Sequence, residues 1–235
     1  MSAEDGGARL PEVLWPPLMH HISRRTLKDT VALYIRDLIF SGRLKPGSRI
    51  DQDAIAAQLG VSKLPVREAL ITLESAALVH IQPRRGAFVA DLSRQDLVDH
   101  YRIYAAVSLI AAESAALTLT RSQIEDLRRN VETMSNATLG SDREELNRSF
   151  HRMINKAGGS RRVQVMLRSM ETMVFGEFHA EDAGWNDEAV VGHAQILDAL
   201  ERGDGKAAGE EIRRHIEDGG AHVIAMLERR GFWSD

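Results

Sequence analysis

At 235 residues the chain has room for one large domain or two small ones. It contains no cysteine, which removes disulfides and thiolate chemistry and suits a reducing cytoplasm. No apolar run reaches the roughly eighteen residues a membrane span needs, and the opening MSAEDGGARLPEV lacks the basic start and apolar core of a secretion signal. The formal net charge of −4 divides unevenly along the chain. Residues 1–92 carry 12 Lys and Arg against 10 Asp and Glu, a net of +2; residues 93–235 carry 18 against 24, a net of −6. That balance favours a small, focused basic footprint in the first part over loose coating of nucleic acid, and gives the acidic second part a different task.

Met1 to about Trp15, with Gly6-Gly7 and three prolines by Pro17, predicts a loose arm, and residues 1–22 precede the first domain. Thr26 to Ser41 sets Leu27, Val31, Leu33, Tyr34, Leu38 and Ile39 at close to helical spacing. A Thr26/Asp29 capping box opens this helix and Gly42 ends it in a left-handed turn. RLKPGSRI then makes an extended link with its turn at Pro46-Gly47. Asp51 caps a short helix through Leu59 that buries Ile55, Ala56 and Leu59. Gly60 breaks it, and Ser62 caps the next helix, whose first turn accepts Pro65 because an N–H there has no partner to lose. Two helices on a short Gly-containing turn, then strands at Val79–Gln82 and Ala87–Ala90, predict a winged helix-turn-helix over residues 23–92. The second helix fits a major groove, and the basic hairpin can reach the backbone or minor groove beside it.

The turn LKPGSRI, the run LGVSKLPVREAL and the wing core LVHIQPRRGAFV, in that order, resemble the GntR family of bacterial transcription regulators. The resemblance implies that Ser62, Lys63, Leu64 and Arg67 face DNA, with Arg84, Arg85 and Gly86 at the wing tip. Two positions depart from the family pattern. Lys63 stands where arginine is commoner, which keeps the charge but loses the bidentate geometry that reads guanine. Leu64 stands where a hydroxyl residue is commoner, and it can touch a thymine methyl but cannot hydrogen-bond a phosphate. Glu68 and Glu74 read as charge balance on the helix surface.

Residues 93–235 read as all helical. Ser93 with Asp96 begins a helix carrying Leu97, Tyr101, Tyr104, Ala105 and Leu109; Thr120 with Gln123 starts another through about Ala137. A third runs from Asp142 to Ala157 and stops at Gly158-Gly159, and a fourth covers Ser160 to about His179. Asp187 caps a fifth that ends near Gly203, and a sixth spans Lys206 to Arg230 with Gly219-Gly220 as a bend. Connections this short favour antiparallel packing. The fold class is therefore mainly α: an N-terminal winged helix-turn-helix plus a C-terminal antiparallel α-helical bundle.

His151, His193 and His215 fall on three different predicted helices, and Asn147 precedes His151 by four residues, on the same helical face. Three imidazoles converging inside a bundle suit Zn, Ni or another borderline divalent ion, and a side-chain oxygen can complete the protein ligands. Taken one at a time, such histidines read as core or surface residues; His222, two turns beyond His215, is the reserve candidate. The fragments NRSFHRMI, GHAQILDALERGD and IRRHI resemble the FCD subgroup of GntR regulators, in its shorter, six-helix form. That resemblance implies metal ligands at Asn147, His151, His193 and His215, an organic acid held at the metal, and an effector-facing arginine at Arg102. It departs at Asn147, where many relatives have aspartate, and at Ala106, where a glutamate often follows the arginine. A surface pair with Asp99 or Asp96 is the competing reading of Arg102.

The two halves together predict a cytoplasmic, homodimeric repressor on a near-palindromic operator, released by a small carboxylate effector and not an enzyme. Two other readings share the three histidines: a metal-dependent hydrolase and a regulator for which the metal is the signal. No Ser/His/Asp set, phosphate loop or HExxH run supports the first.

Overall fold

The computed structural model describes residues 26–137, 141–174 and 183–233. The expected arm at 1–22 lies outside the described residues, as does the stretch from 175 to 179 expected to continue the fourth bundle helix. Among the described residues the order is three helices, two strands and six helices. That order is the mainly α architecture expected, with a winged helix-turn-helix ahead of a helical domain.

The first domain folds as its caps dictate. Helix α1 (Leu27–Phe40) starts at a reciprocal Thr26/Asp29 capping box, and Gly42 at φ +72° carries the chain away from its end. Helix α2 (Gln52–Leu59) starts at Asp51, whose carboxylate accepts from the amides of Asp53 and Ala54, and ends at left-handed Gly60. Helix α3 (Lys63–Ser75) follows at once, with Ser62 at the N-cap position but its hydroxyl making no capping bond. Val66, Leu70 and Leu73 of α3 are buried with Ile35, Leu38 and Ile39 of α1. Each fully buried aliphatic of this size contributes about 1.5–3 kcal/mol, which is what holds three short helices at fixed angles. Strands β1 (Val79–Gln82) and β2 (Gly86–Val89) pair antiparallel from Val79↔Val89 to Gln82↔Gly86, so β2 begins one residue earlier than its apolar pattern suggests. A bridge from Arg49 to Phe88 ties the LKPGSRI link to the wing.

The second domain is built on a pair of 25-residue helices, α4 (Arg94–Thr118) and α9 (Gly205–Arg229). They run antiparallel, with Tyr101 against Gly220 and Glu113 against Gly205 and Gly209. Ala105, Ala111, Ala112 and Ala115 are buried along α4, so the backbones approach closely. Helix α9 continues through Gly219 and Gly220, and Gly220 leaves the space that the Tyr101 ring occupies, where any side chain would clash. Around this pair lie α5 (Arg121–Asn136), α6 (Ser141–Gly158), α7 (Arg161–Val174) and α8 (Ala183–Glu201). Helix α8 starts four residues ahead of Asp187, which is therefore within it and not its cap. Ser93/Asp96 and Thr120/Gln123 both form the expected capping boxes. Gly158 abuts Ala111 and Ala115, and Glu144 lies beside Tyr101, so α6 runs parallel to α4. Contacts that tie the domains include the Trp233 indole N–H, which donates to the Leu92 carbonyl at 2.7 Å, the Phe232 ring centroid 5.8 Å from that of Phe40, and the packing of α3 on α7. Among the described residues no helix is long and apolar enough to cross a membrane.

Candidate functional site

The first domain presents one polar face. Burying Val66, Ala69, Leu70 and Leu73 turns the other side of α3 outward, and there Ser62, Lys63, Leu64 and Arg67 are all exposed. Pro65 is buried, so it shapes the start of the helix and leaves its neighbours free to touch a partner. The Lys63 ammonium lies 2.6 Å from an Asp53 carboxylate oxygen, and an approaching phosphate must displace that exposed pair. In the wing, Arg84 sits at φ +63° and Gly86 at φ +108°, which turns the tight loop that exposes Arg84 and Arg85. The Arg85 guanidinium rests 5.9 Å from the Phe88 ring centroid. All seven residues expected to face DNA thus lie at the N-terminal end of α3 or at the wing tip. Sequence reading did not single out Arg49, whose guanidinium would lie 3.1 Å from a side chain at position 86; it adds a cation beside the wing tip. Glu74 has a different job from the surface charge balance expected of it: its carboxylate accepts the Ile81 amide at 2.7 Å and latches α3 to β1.

In the second domain, α6, α8 and α9 bring His151, His193 and His215 together. Their candidate ligand atoms all lie within 4.8 Å of one another, and the ring centroids are 4.4–5.3 Å apart. His193 is fully buried, His151 is 4 % exposed, and His215 is half-buried. Close approach of α8 and α9 depends on Gly192, where a side chain would come within 2.6 Å of the His215 Nδ1. Burial, then the neighbouring His215, His151 and Arg143, hold His193 well below the ordinary imidazole range. Burial and His151 push His215 down to about 3. Both rings are therefore neutral at pH 7 and offer a nitrogen lone pair.

That donor set fits a divalent ion. The Nε2 atoms of His151 and His193 are 3.4 Å apart, close to the roughly 3.4 Å that separates two nitrogens at about 2.05 Å from a tetrahedral zinc. Among the described residues the cluster contains no carboxylate. Asn147 is half-buried one turn before His151, and its side chain hydrogen-bonds Glu144. Burial raises the Glu144 carboxyl to about 7 against the opposing pull of Arg148 and Arg36, the latter reaching in from α1. A cleft of about 710 Å³ opens along α8 and α9, and its walls include His215, Gly192, Arg214, Glu211, Asp218 and His222. His222 borders this cleft but lies outside the three-histidine cluster.

Arg102 falls elsewhere. Its side chain is 69 % exposed on α4 and lies 3.8 Å from Asp99, the surface pair that its spacing also allowed, and it does not line the cleft. A different arginine is close to the histidines: Arg143, two turns before His151 on α6, is buried, and its charge depresses His193. A period of four along α6, through Arg143, Asn147, His151 and Asn155, is the sequence signal that would have found it.

Comparison with known proteins gives two family matches. A model described as bacterial regulatory proteins, gntR family, matches residues 27–89, and one described as FCD domain matches residues 99–218. A probable D-xylose utilization operon transcriptional repressor of Paenarthrobacter nicotinovorans is 32 % identical over 210 residues, covering 84 % of this chain and 91 % of that one. The HTH-type transcriptional repressor RspR of Escherichia coli K12 is 24 % identical over 195 residues, covering 81 % and 86 %. Among solved structures, E. coli McbR/YncC superposes with a TM-score of 0.64 at 24 % identity, covering 88 % of this chain and 99 % of that one. A putative regulator from Rhodococcus sp. RHA1 superposes at 0.59, also at 24 % identity, covering 84 % and 97 %.

Proposed function

Because the chain belongs to the GntR family of bacterial transcription regulators and carries an FCD domain, we propose that it is a homodimeric repressor whose hold on DNA is released by a small organic acid bound at a metal. It is a DNA-binding regulator and not an enzyme, which sets the hydrolase reading aside. Repression is the sense in which the 32 % identical relative is named. Two copies place their α3 helices in successive major grooves about 34 Å apart, with the wings on the flanking backbone.

The observation that carries the effector half is the electroneutrality of the ligand set. Three imidazoles, uncharged when they act as ligands, hold a divalent ion, Zn or Ni, and among the described residues no carboxylate joins them to offset its charge. Asn147, offered here as the fourth ligand, is neutral too. The bound ion supplies an electrophilic site that keeps its double charge, so an anionic group of the effector completes it more favourably than water does. Arg143 adds a second positive charge beside His193, and we assign it the role first expected of Arg102. The route to DNA runs through α6, because Glu144 hydrogen-bonds Asn147 and also feels the charge of Arg36 on α1. A shift of α6 on binding thereby reaches the reading head. To matter, the acid must favour one state by about 1–3 kcal/mol.

Operator binding measured with metal-loaded and chelator-stripped protein, with and without organic acids, tests this. An acid should weaken binding of the loaded form only. Release by metal alone would make the ion the signal, and no response in any condition would remove the sensing role altogether. Reversing the charges of Arg67, Arg84 and Arg85 together should abolish nuclease protection of the operator while leaving the fold intact.

A further inference from the structure

The inner face of α6 carries more polarity than a metal site uses. Asn155 stands one turn beyond His151, so the two side chains leave the helix on the same side. It is 6 % exposed, and neither its amide nitrogen nor its amide oxygen has a hydrogen-bond partner. On α4, Ser108 is 1 % exposed and its Oγ is likewise unpartnered. The parallel course of α4 and α6 sets them level: Gly158 abuts Ala111 and Ala115, and Ser108 lies one turn before Ala111 just as Asn155 lies one turn before Gly158. Hydrogen-bonding atoms shut away from water without partners are destabilising, and most buried polar groups avoid that state. An alanine at 108 or a leucine at 155 would remove the cost.

We propose that Asn155 and Ser108 form a neutral hydrogen-bonding subsite beside the metal, and that it receives a hydroxyl group of the effector. The sensed molecule is then a hydroxy acid, its carboxylate at the ion and a hydroxyl on a nearby carbon at the amide and serine. The chemistry matches in both directions. A hydroxyl donates one hydrogen bond and accepts two, while the amide and Oγ together offer donors and acceptors. A plain alkyl acid of the same length would bury the same atoms and leave them unpaired, and sites built around a hydroxyl reject such analogues strongly. This inference rests on the reading of the bundle as an acid sensor and specifies which acids it admits.

The test uses full-length, metal-loaded protein, thermal unfolding, and operator binding as a second readout. The probes are matched pairs: lactate against propionate, and gluconate against hexanoate. Without any acid, Asn155→Leu and Ser108→Ala should each unfold at the wild-type temperature or up to about 4 °C higher, with metal affinity unchanged. In the wild type, at least one hydroxy acid should raise the unfolding temperature and release the operator at a concentration tenfold or more below its alkyl counterpart. Asn155→Leu should erase that difference and keep the increment common to both acids. If both variants unfold at lower temperature without acid, the two side chains serve the fold and the subsite is overturned. Equal responses to hydroxy and alkyl acids overturn it as well, yet leave the acid sensor standing. Failure of every acid to move either readout overturns the sensor itself.

Discussion

At the scale of single residues, the site is made as much by what is missing as by what is present. Gly192 contributes no ligand, but the His215 Nδ1 occupies the space its side chain would need, at 2.6 Å. Gly192→Ala should therefore displace the third imidazole with every ligand still encoded. We expect divalent-ion affinity, measured by calorimetry, to fall about 10–100-fold, the range seen when a ligand loses its outer support. His100 tests an imidazole outside the cluster. It is partly buried on α4, its ring stacks 6.5 Å from Tyr104, and burial pushes it down to about 4 despite a backbone hydrogen bond to Met170. The unfolded imidazole binds its proton near pH 6.5, so stability from the neutral folded ring is complete above that pH and drains as pH falls toward 4. A drop of about 2.5 units corresponds to on the order of 3 kcal/mol. His100→Phe should unfold at nearly the wild-type urea concentration at pH 7.5 and resist better at pH 4.5. If the two curves keep a constant separation across that range, His100 does not carry the acid sensitivity.

At the scale of elements, the recognition helix is fixed by two kinds of force, and only one of them shows in periodicity. Val66, Leu70 and Leu73 anchor α3 in the core, while Glu74 bonds the Ile81 amide seven residues on. Replacing Glu74 by alanine strips a charge-assisted bond from an exposed site and should cost about 1 kcal/mol of stability. Because that bond couples the wing directly to α3, operator affinity should fall by more than the stability does, and a gel-shift titration beside an unfolding curve separates the two. The contrast explains what was legible in the sequence. Caps and breakers act within three or four residues, so Thr26/Asp29, Asp51, Gly60, Ser93/Asp96 and Thr120/Gln123 located their helix ends correctly. The three histidines could be grouped because each lies in a recognisable fragment. Gly220 showed its use only in three dimensions, because the space it leaves is filled by a ring from another helix. The period of four puts Arg143 and Asn155 on the His151 face of α6, but that this face turns inward depends on how α6 meets α4 and α8, and only burial showed the Asn155 amide to be alone.

At the scale of the whole molecule, the proposed dimer requires a seam, and α4 carries an apolar face on which a second copy can seat. Ile103, Ile110 and Leu117 repeat every seven residues on the side of α4 turned away from α9, and they are 52, 50 and 79 % exposed. Val165 and Met166 of α7, a helix packed on α4, are exposed as well. Three large aliphatics in one line on a helix are costly to leave in water. The heptad interval suits a helix crossing its symmetry mate at a shallow angle, where each contact residue meets its own kind across the axis. An aspartate at 110 would put two like charges at the middle of that seam. Ile110→Asp should therefore sediment as a monomer at concentrations where the wild type is a dimer, with an unfolding temperature close to that of a dissociated wild-type subunit. A monomer retains one reading head and its phosphate contacts, so it should still bind a half-site weakly. On the full operator it should lose the gain from tethering a second head, commonly 10²–10⁴-fold. Unchanged sedimentation would place the dimer seam on another face. A monomer that kept full operator affinity would mean that a single head suffices, and the link between the FCD domain and DNA would then have to act within one chain, through Arg36, Glu144 and the Trp233–Leu92 contact.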